Sequence, residues 1–235
     1  MEVLLLIDLQ NDFCPGGSLP VPDGDKTIQI ANELLSSRHY DLVIATKDWH
    51  PRNHGSFAIN HPGAEEYSLG TLGGLPQRMW PAHCIENTWG AEFHPDLNTE
   101  LIDHVVLKGT DPDIDSYSGF FDNGQKRETN LRELIEAEAK LRNVFRGDIT
   151  IDCMGLATEY CVKFTALDAR RLDFDTNIII DGCRGINQQP GDDLKTFRQL
   201  QQQDIGVIDS KTIFPGRTPA ISLVAELERQ QQLQP

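Results

Sequence analysis

The stretch that decides the fold is Ile149-Thr-Ile-Asp-Cys-Met-Gly-Leu-Ala-Thr-Glu-Tyr-Cys-Val-Lys-Phe-Thr-Ala-Leu-Asp-Ala-Arg-Arg-Leu-Asp-Phe-Asp-Thr-Asn-Ile-Ile-Ile-Asp181. It opens on a short apolar, β-branched run at 149–153 and closes on another at 177–181. Between them Val162, Thr165, Ala166, Ala169 and Leu172 recur at helical spacing. Strand, helix, strand is the unit of a parallel sheet with its helices laid over the faces.

The same alternation continues in both directions. Further strand candidates lie at 3–8, 42–46, 104–108 and 205–208. Helical patterns carry Ile28, Ala31, Leu34 and Leu35, then Leu131, Leu134, Ile135, Leu141 and Phe145, then Leu194, Phe197 and Leu200. The expectation is an α/β protein of three layers: a mainly parallel six-stranded sheet flanked by helices. No linker or internal repeat interrupts it, so residues 1–235 are read as a single domain. Residues 51–103, rich in Gly, Pro, His and Trp, form a long irregular excursion, and excursions of that length are commonly functional. The glutamine-rich tail from Gln230 to Pro235 is expected to fray.

With 24% charged and 39% apolar residues among 235, the chain is composed like a globular protein, not a disordered or fibrous one. Its 21 Lys+Arg against 36 Asp+Glu leave a formal charge of −15, which opposes nucleic acid and anionic membranes. The apolar run at 3–7 is too short for a secretory signal, and no run approaches the ~18 residues of a membrane span. Five cysteines (Cys14, Cys84, Cys153, Cys161, Cys183), odd in number and without a CxxC pair, suit reduced thiols. A cytoplasmic protein with a small-molecule partner is expected; a homo-oligomer stays open.

Open α/β sheets bind ligands beyond the carboxyl ends of their strands. Asp8 ends the first strand candidate and Lys108 the third. Thr46-Lys-Asp-Trp-His50 leads out of the second, and Gly155-Leu-Ala-Thr-Glu-Tyr-Cys161 follows the fourth. With Thr158 as N-cap, Cys161 falls in the first turn of a helix, where free N–H groups favour thiolate. A lone buried cysteine is usually filler, and Asp8 or Lys108 alone reads as a polar strand end. Together they supply a nucleophile, a base and a cation. Asp48-x-His50-x-x-x-His54 with the distant His83 can converge on a divalent ion. Asp48, His50 and His83 are the preferred set, and His54 is a fourth ligand or a partner behind them. Hydrogen-bonded loop histidines are the plainer reading, and Cys84 is a softer competing ligand. Phe13, Trp49, Trp80 and Tyr117 are candidates to wall a flat ring, with core packing as the alternative.

In order along the chain stand Asp8-Leu-Gln-Asn-Asp-Phe13, Thr46-Lys-Asp-Trp-His50-Pro-x-x-His54-x-Ser56-Phe57, Trp80-Pro-x-His83-Cys84, Lys108-Gly109, Tyr117-Ser-Gly-Phe120 and Gly155-Leu-Ala-Thr-Glu-Tyr-Cys161-Val162. From Glu2 to about Lys211 the chain resembles the nicotinamidases of the isochorismatase-like cysteine hydrolases. The resemblance implies an isochorismatase-like, Rossmann-like fold and hydrolysis of nicotinamide to nicotinate and ammonia in NAD salvage, with related pyridine and pyrazine carboxamides also accepted. It implies Cys161 as nucleophile, Asp8 as base and later acid, and Lys108 as third member. The metal would be zinc first, with iron or manganese as alternatives, on Asp48, His50 and His83, with His54 variably involved. Phe13 and Trp80 would sandwich the ring and Tyr117 border it. It also implies a cis peptide at 156–157, with the N–H groups of Ala157 and Cys161 as the oxyanion hole.

The stretch 60–78, with Gly73-Gly74, is longer than the family pattern requires. Glu159 stands where Asp is also common, an exchange expected to be neutral. Two other readings stand beside this one: a cysteine amidohydrolase of the same superfamily acting on a carbamoyl or ureido substrate, and a non-catalytic binding protein on the same fold.

Overall fold

The structure is a computed structural model and describes residues 1–213; the tail at 230–235 lies outside the described residues. In chain order the strands are β1 (Glu2–Ile7), β2 (Leu42–Asp48), β3 (Leu69–Leu72), β4 (Leu75–Arg78), β5 (His104–Lys108), β6 (Thr150–Leu156), β7 (Asp175–Arg184) and β8 (Gly206–Ile208). The helices are α1 (Lys26–Ser37), α2 (Leu131–Leu141), α3 (Lys163–Arg171) and α4 (Asp192–Gln201). Six strands, all paired in parallel, form one sheet in the order β5-β2-β1-β6-β7-β8. Each coincides with a strand candidate of the sequence. The unit at 149–181 is β6, α3 and β7, with α3 packed on both of its strands and α1 also packed on β7.

Burial explains why these runs were readable. β1, β2 and β6 lie inside the sheet and bury nearly every residue, so apolar residues predominate on both faces, the buried polar ones being Thr46, Lys47 and Asp48 at the end of β2 and Asp152 in β6. β5 is an edge strand and alternates: Val106 and Lys108 are buried, Val105 and Leu107 exposed. The period of two therefore sends Lys108 inward on the same side as an apolar residue.

Two expectations change. The helical pattern through Leu141 and Phe145 runs past the helix, because Asn143 takes a left-handed conformation (φ 57°) just after α2 and ends it. Leu141 and Phe145 are 78% and 81% exposed and take no part in the core. The excursion at 51–103 is also not wholly irregular, since β3 and β4 pair as an antiparallel hairpin. Gly73 and Gly74, both at positive φ (58° and 80°), are its two-residue turn.

From β1 the chain builds outward through β2 to β5; from β6 it builds the other way through β7 to β8. The order reverses between β1 and β6, so the crevice at a topological switch point opens there, above the carboxyl ends of the two strands, where Asp8 follows β1 and the turn carrying Cys161 follows β6.

Candidate active site

Asp8 follows the last residue of β1 in a left-handed conformation (φ 53°), its carbonyl taken by the N–H of Gln10 at 2.8 Å. Its carboxylate is wholly buried. Lys108 comes from the end of β5, and its Nζ lies 2.9 Å from Asp8 Oδ2, 2.6 Å from Asp48 Oδ1, 3.1 Å from the Ser116 carbonyl and 3.3 Å from Cys161 Sγ. One ammonium thus joins the ends of four segments that are far apart in sequence. Asp48 is further held by Gln10, whose amide accepts from its N–H (2.8 Å) and donates to its carbonyl (2.8 Å).

Burial works against the Lys108 charge, but Asp48 and Asp8 outweigh it and hold the lysine well above its usual range. For Asp48 burial is likewise overcome, by Lys108 and His50, and its carboxyl lies well below the ordinary value. Asp8 is raised, because burial together with the neighbouring Asp48 prevails over Lys108. Burial also holds Cys161 well above a free thiol despite Lys108, so the resting group is a thiol. All five cysteines are raised by burial. What singles out Cys161 is its place against a cation and a carboxylate.

The segment carrying it differs from the expectation. Thr158 does not cap a helix: the cap residue is Ala157, and Thr158–Val162 form a π-helical turn that runs into α3. Thr158 Oγ1 is buried with no hydrogen-bond partner. The peptide between Leu156 and Ala157 is cis, as the family resemblance implied.

Asp48 turns its other oxygen, Oδ2, toward His50 Nε2 (3.5 Å) and His83 Nε2 (3.8 Å). Both imidazoles have Nδ1 against a carbonyl, Gly109 for His50 and Pro81 for His83, each at 2.7 Å. A ring that donates from Nδ1 presents a lone pair at Nε2, the form a metal ligand takes. Asp48, His50 and His83 bring one donor atom each within 4.8 Å of one another, all buried. One carboxylate and two imidazoles fit a divalent transition metal such as zinc. His54 is different. Its Nδ1 receives the Ser56 N–H at 3.2 Å and lies 2.8 Å from Ser56 Oγ, while Nε2 is buried and unpartnered. Burial and the nearby His50 lower it to about 4, so the ring is neutral. A ring accepting at Nδ1 carries its proton on Nε2, which favours a partner behind the ligands over a fourth ligand.

Both clusters open on one cavity. Cys161, Ala157, Asp48 and His83 form its polar side, and Phe13, Leu19, Trp80, Tyr117, Tyr160 and Ile186 its walls. Of the four candidate aromatic residues, Phe13, Trp80 and Tyr117 line this cavity. Trp49 lies under the Lys47 ammonium, 5.1 Å from the ring centroid, and does not line the cavity. Trp80 meets Tyr160 edge-on at 4.9 Å, and its indole N–H donates to the Tyr117 hydroxyl at 3.2 Å.

Sequence reasoning missed Asp115, a buried carboxylate on this cavity that also clusters with His50 and His54. It missed Gln77 too, whose amide on β4 donates to Asp115 Oδ2 at 2.8 Å and to the Tyr117 hydroxyl at 3.2 Å. The hairpin therefore serves the rim of the site, and Gly73-Gly74 was the available signal for it. Glu159 accepts from the N–H groups of Ile186 (3.1 Å) and Asn187 (2.6 Å), propping the segment after β7 against the cavity.

The chain belongs to the isochorismatase family: the Isochorismatase domain matches residues 2–211. Relatives that are 32–50% identical over 80–89% of this chain are nicotinamidases, one of them a nicotinamidase/pyrazinamidase. The nicotinamidase of Escherichia coli K12 is 50% identical over 204 residues, spanning 85% of this chain and 90% of that enzyme. The solved nicotinamidase/pyrazinamidase of Acinetobacter baumanii superposes with a TM-score of 0.82 at 38% identity, covering 91% of this chain and 98% of the other. The pyrazinamidase of Pyrococcus horikoshii, solved in complex with zinc, gives 0.67 at 36% identity over 88% and 98%.

Proposed function

We propose that this chain hydrolyses nicotinamide to nicotinate and ammonia through a thioester on Cys161, in NAD salvage in the cytoplasm. The observation that carries the reading is the meeting of Cys161 Sγ, Lys108 Nζ and Asp8 beside an aspartate and two histidines on one aromatic-walled cavity.

Asp8 takes the Cys161 proton, and the thiolate, facing the Lys108 ammonium, attacks the carboxamide carbon. The N–H groups of Ala157 and Cys161 receive the oxyanion; one such donor is typically worth ~3 kcal/mol. Asp8 then gives its proton to the departing amine, which leaves as ammonia. Water deprotonated by the same carboxylate hydrolyses the thioester to nicotinate and restores the thiol. Phe13, Trp80 and Tyr117 hold the ring. Asp48, His50 and His83 would hold the metal, zinc first, and a bound divalent ion supplies a Lewis acid for the pyridine nitrogen.

Ammonia release from nicotinamide, before and after chelation, tests the reading. Turnover that falls on chelation and returns with zinc is expected. No release from nicotinamide by the metal-replete protein, with cleavage of a carbamoyl or ureido amide instead, would overturn the substrate assignment. His83→Ala is expected to lower metal content, measured by elemental analysis, by more than the roughly 10- to 100-fold in affinity that loss of an outer partner costs, and to raise KM. Unchanged stoichiometry removes His83 from the ligand set.

The reaction needs Asp8 ionised, and burial raises Asp8 above the ordinary 3.8. Activity is therefore lost as pH falls through that raised value, and the acid limb of kcat/KM is expected above pH 3.8. A pH–rate profile with its acid limb at or below 3.8 counts against Asp8 as the base.

A further inference from the structure

Thr46 lies in β2, wholly buried and paired in register with Ile7, the residue before Asp8. Side chains alternate along a strand, so Thr46 faces the same side as Asp48, while Lys47 turns away to Glu92 at 2.6 Å. The Thr46 hydroxyl lies 2.6 Å from Asp8 Oδ1 and accepts the Asp8 backbone N–H at 3.2 Å. A hydroxyl has one proton, and a backbone N–H can only donate. An ionised carboxylate can only accept, so the hydroxyl proton is committed to Oδ1 while a lone pair receives that N–H. Turning the proton elsewhere would lose the bond to Oδ1 in a fully buried place. The other oxygen, Oδ2, faces the Lys108 ammonium at 2.9 Å.

We infer that Thr46 is a positioning residue that divides the two oxygens of Asp8 between tasks, Oδ1 for anchoring the carboxylate and Oδ2 for receiving the Cys161 proton. This rests on the function proposed above. In the step concerned the Sγ–H bond breaks, the O–H bond forms on Oδ2, and the electron pair stays on sulfur as thiolate. Without the Thr46 hydroxyl the Lys108 ammonium, 2.9 Å from Oδ2, remains, but Oδ1 loses its anchor. Either oxygen can then face the ammonium, and the orientation of the carboxylate toward the thiol is no longer fixed.

The test compares Thr46→Val, which removes the hydroxyl at nearly constant shape, with Thr46→Ser, which keeps it and removes the methyl group. Wild-type ammonia release from nicotinamide decides the proposed function by itself; the variants decide the role of Thr46. For Thr46→Val kcat is expected to fall about 10- to 100-fold, the range for one lost hydrogen bond to a charged group, with KM within about twofold. Alkylation of Cys161 by iodoacetamide without substrate, followed by mass spectrometry, should slow by a similar factor. Metal content should match wild type, and Thr46→Ser should recover both rates to within several-fold. The inference is overturned if Thr46→Val turns over and alkylates like wild type. It is also overturned if Thr46→Ser is as impaired as Thr46→Val, or if Thr46→Val loses its metal in step with activity. Should Thr46→Val not fold, Thr46→Ala takes its place in the same comparison.

Discussion

Cys161→Ala is expected to lower kcat for ammonia release from nicotinamide by at least about 10,000-fold, the scale seen when a covalent nucleophile is deleted. No other thiol can stand in. Cys84, next to His83 in sequence, is wholly buried and does not line the cavity, and its Sγ lies 3.9 Å from the Gly90 carbonyl. The fold should survive, since the change removes one small buried atom from a turn whose backbone bonds remain. Equal circular dichroism and equal metal content beside the lost turnover would confirm that chemistry alone has gone. Activity within tenfold of the parent would remove Cys161 from the mechanism and with it the thioester.

Lys108→Met should unfold the protein more readily as well as silence it. The lysine is the cation between two buried carboxylates, Asp8 at 2.9 Å and Asp48 at 2.6 Å. Removing one partner from such a group leaves uncompensated buried charge and costs about 3–5 kcal/mol. For a chain of this size that is a fall in Tm of roughly 6–20 °C. The sign of its pH dependence follows from the same groups. Without the ammonium both carboxylates bind protons more readily folded than unfolded, so the folded variant is relieved as pH falls. The loss of Tm relative to wild type is expected to be larger at pH 8 than at pH 5. Thermal melts at the two pH values check this, and an equal or smaller loss at pH 8 would mean that Lys108 does not neutralise the pair.

Much of this site could be read in the chain because parallel sheets write themselves plainly. The central strands bury both faces, so 3–8, 42–46 and 149–153 stand out as apolar runs, and Asp8 and Cys161 follow from where those runs stop. The hairpin was harder. Leu69-Gly-Thr-Leu72 and Leu75-Pro-Gln-Arg78 lack β-branched density, and a single sequence offers only Gly73-Gly74 as punctuation. Asp115 is one of several acids in Asp111-Pro-Asp-Ile-Asp115; the closing of the loop over His50 and His54 distinguishes it, and that is tertiary. Thr158 misled for a physical reason. It is a strong capping residue by type, yet the turn beginning there is wound wider than an α-helix, and its hydroxyl finds no N–H to accept.

Asp48 gives one oxygen to Lys108 and turns the other toward His50 and His83. The two halves of the site therefore share a single negative charge, and their equilibria are linked. A cation held by the histidines would draw on the charge that Lys108 otherwise holds and would add positive potential close to Cys161, favouring ionisation of the thiol. Linkage is reciprocal, and an ionised thiol must in turn hold the cation more tightly. On this reading a metal-depleted preparation is altered in its nucleophile as well as in its grip on a ring.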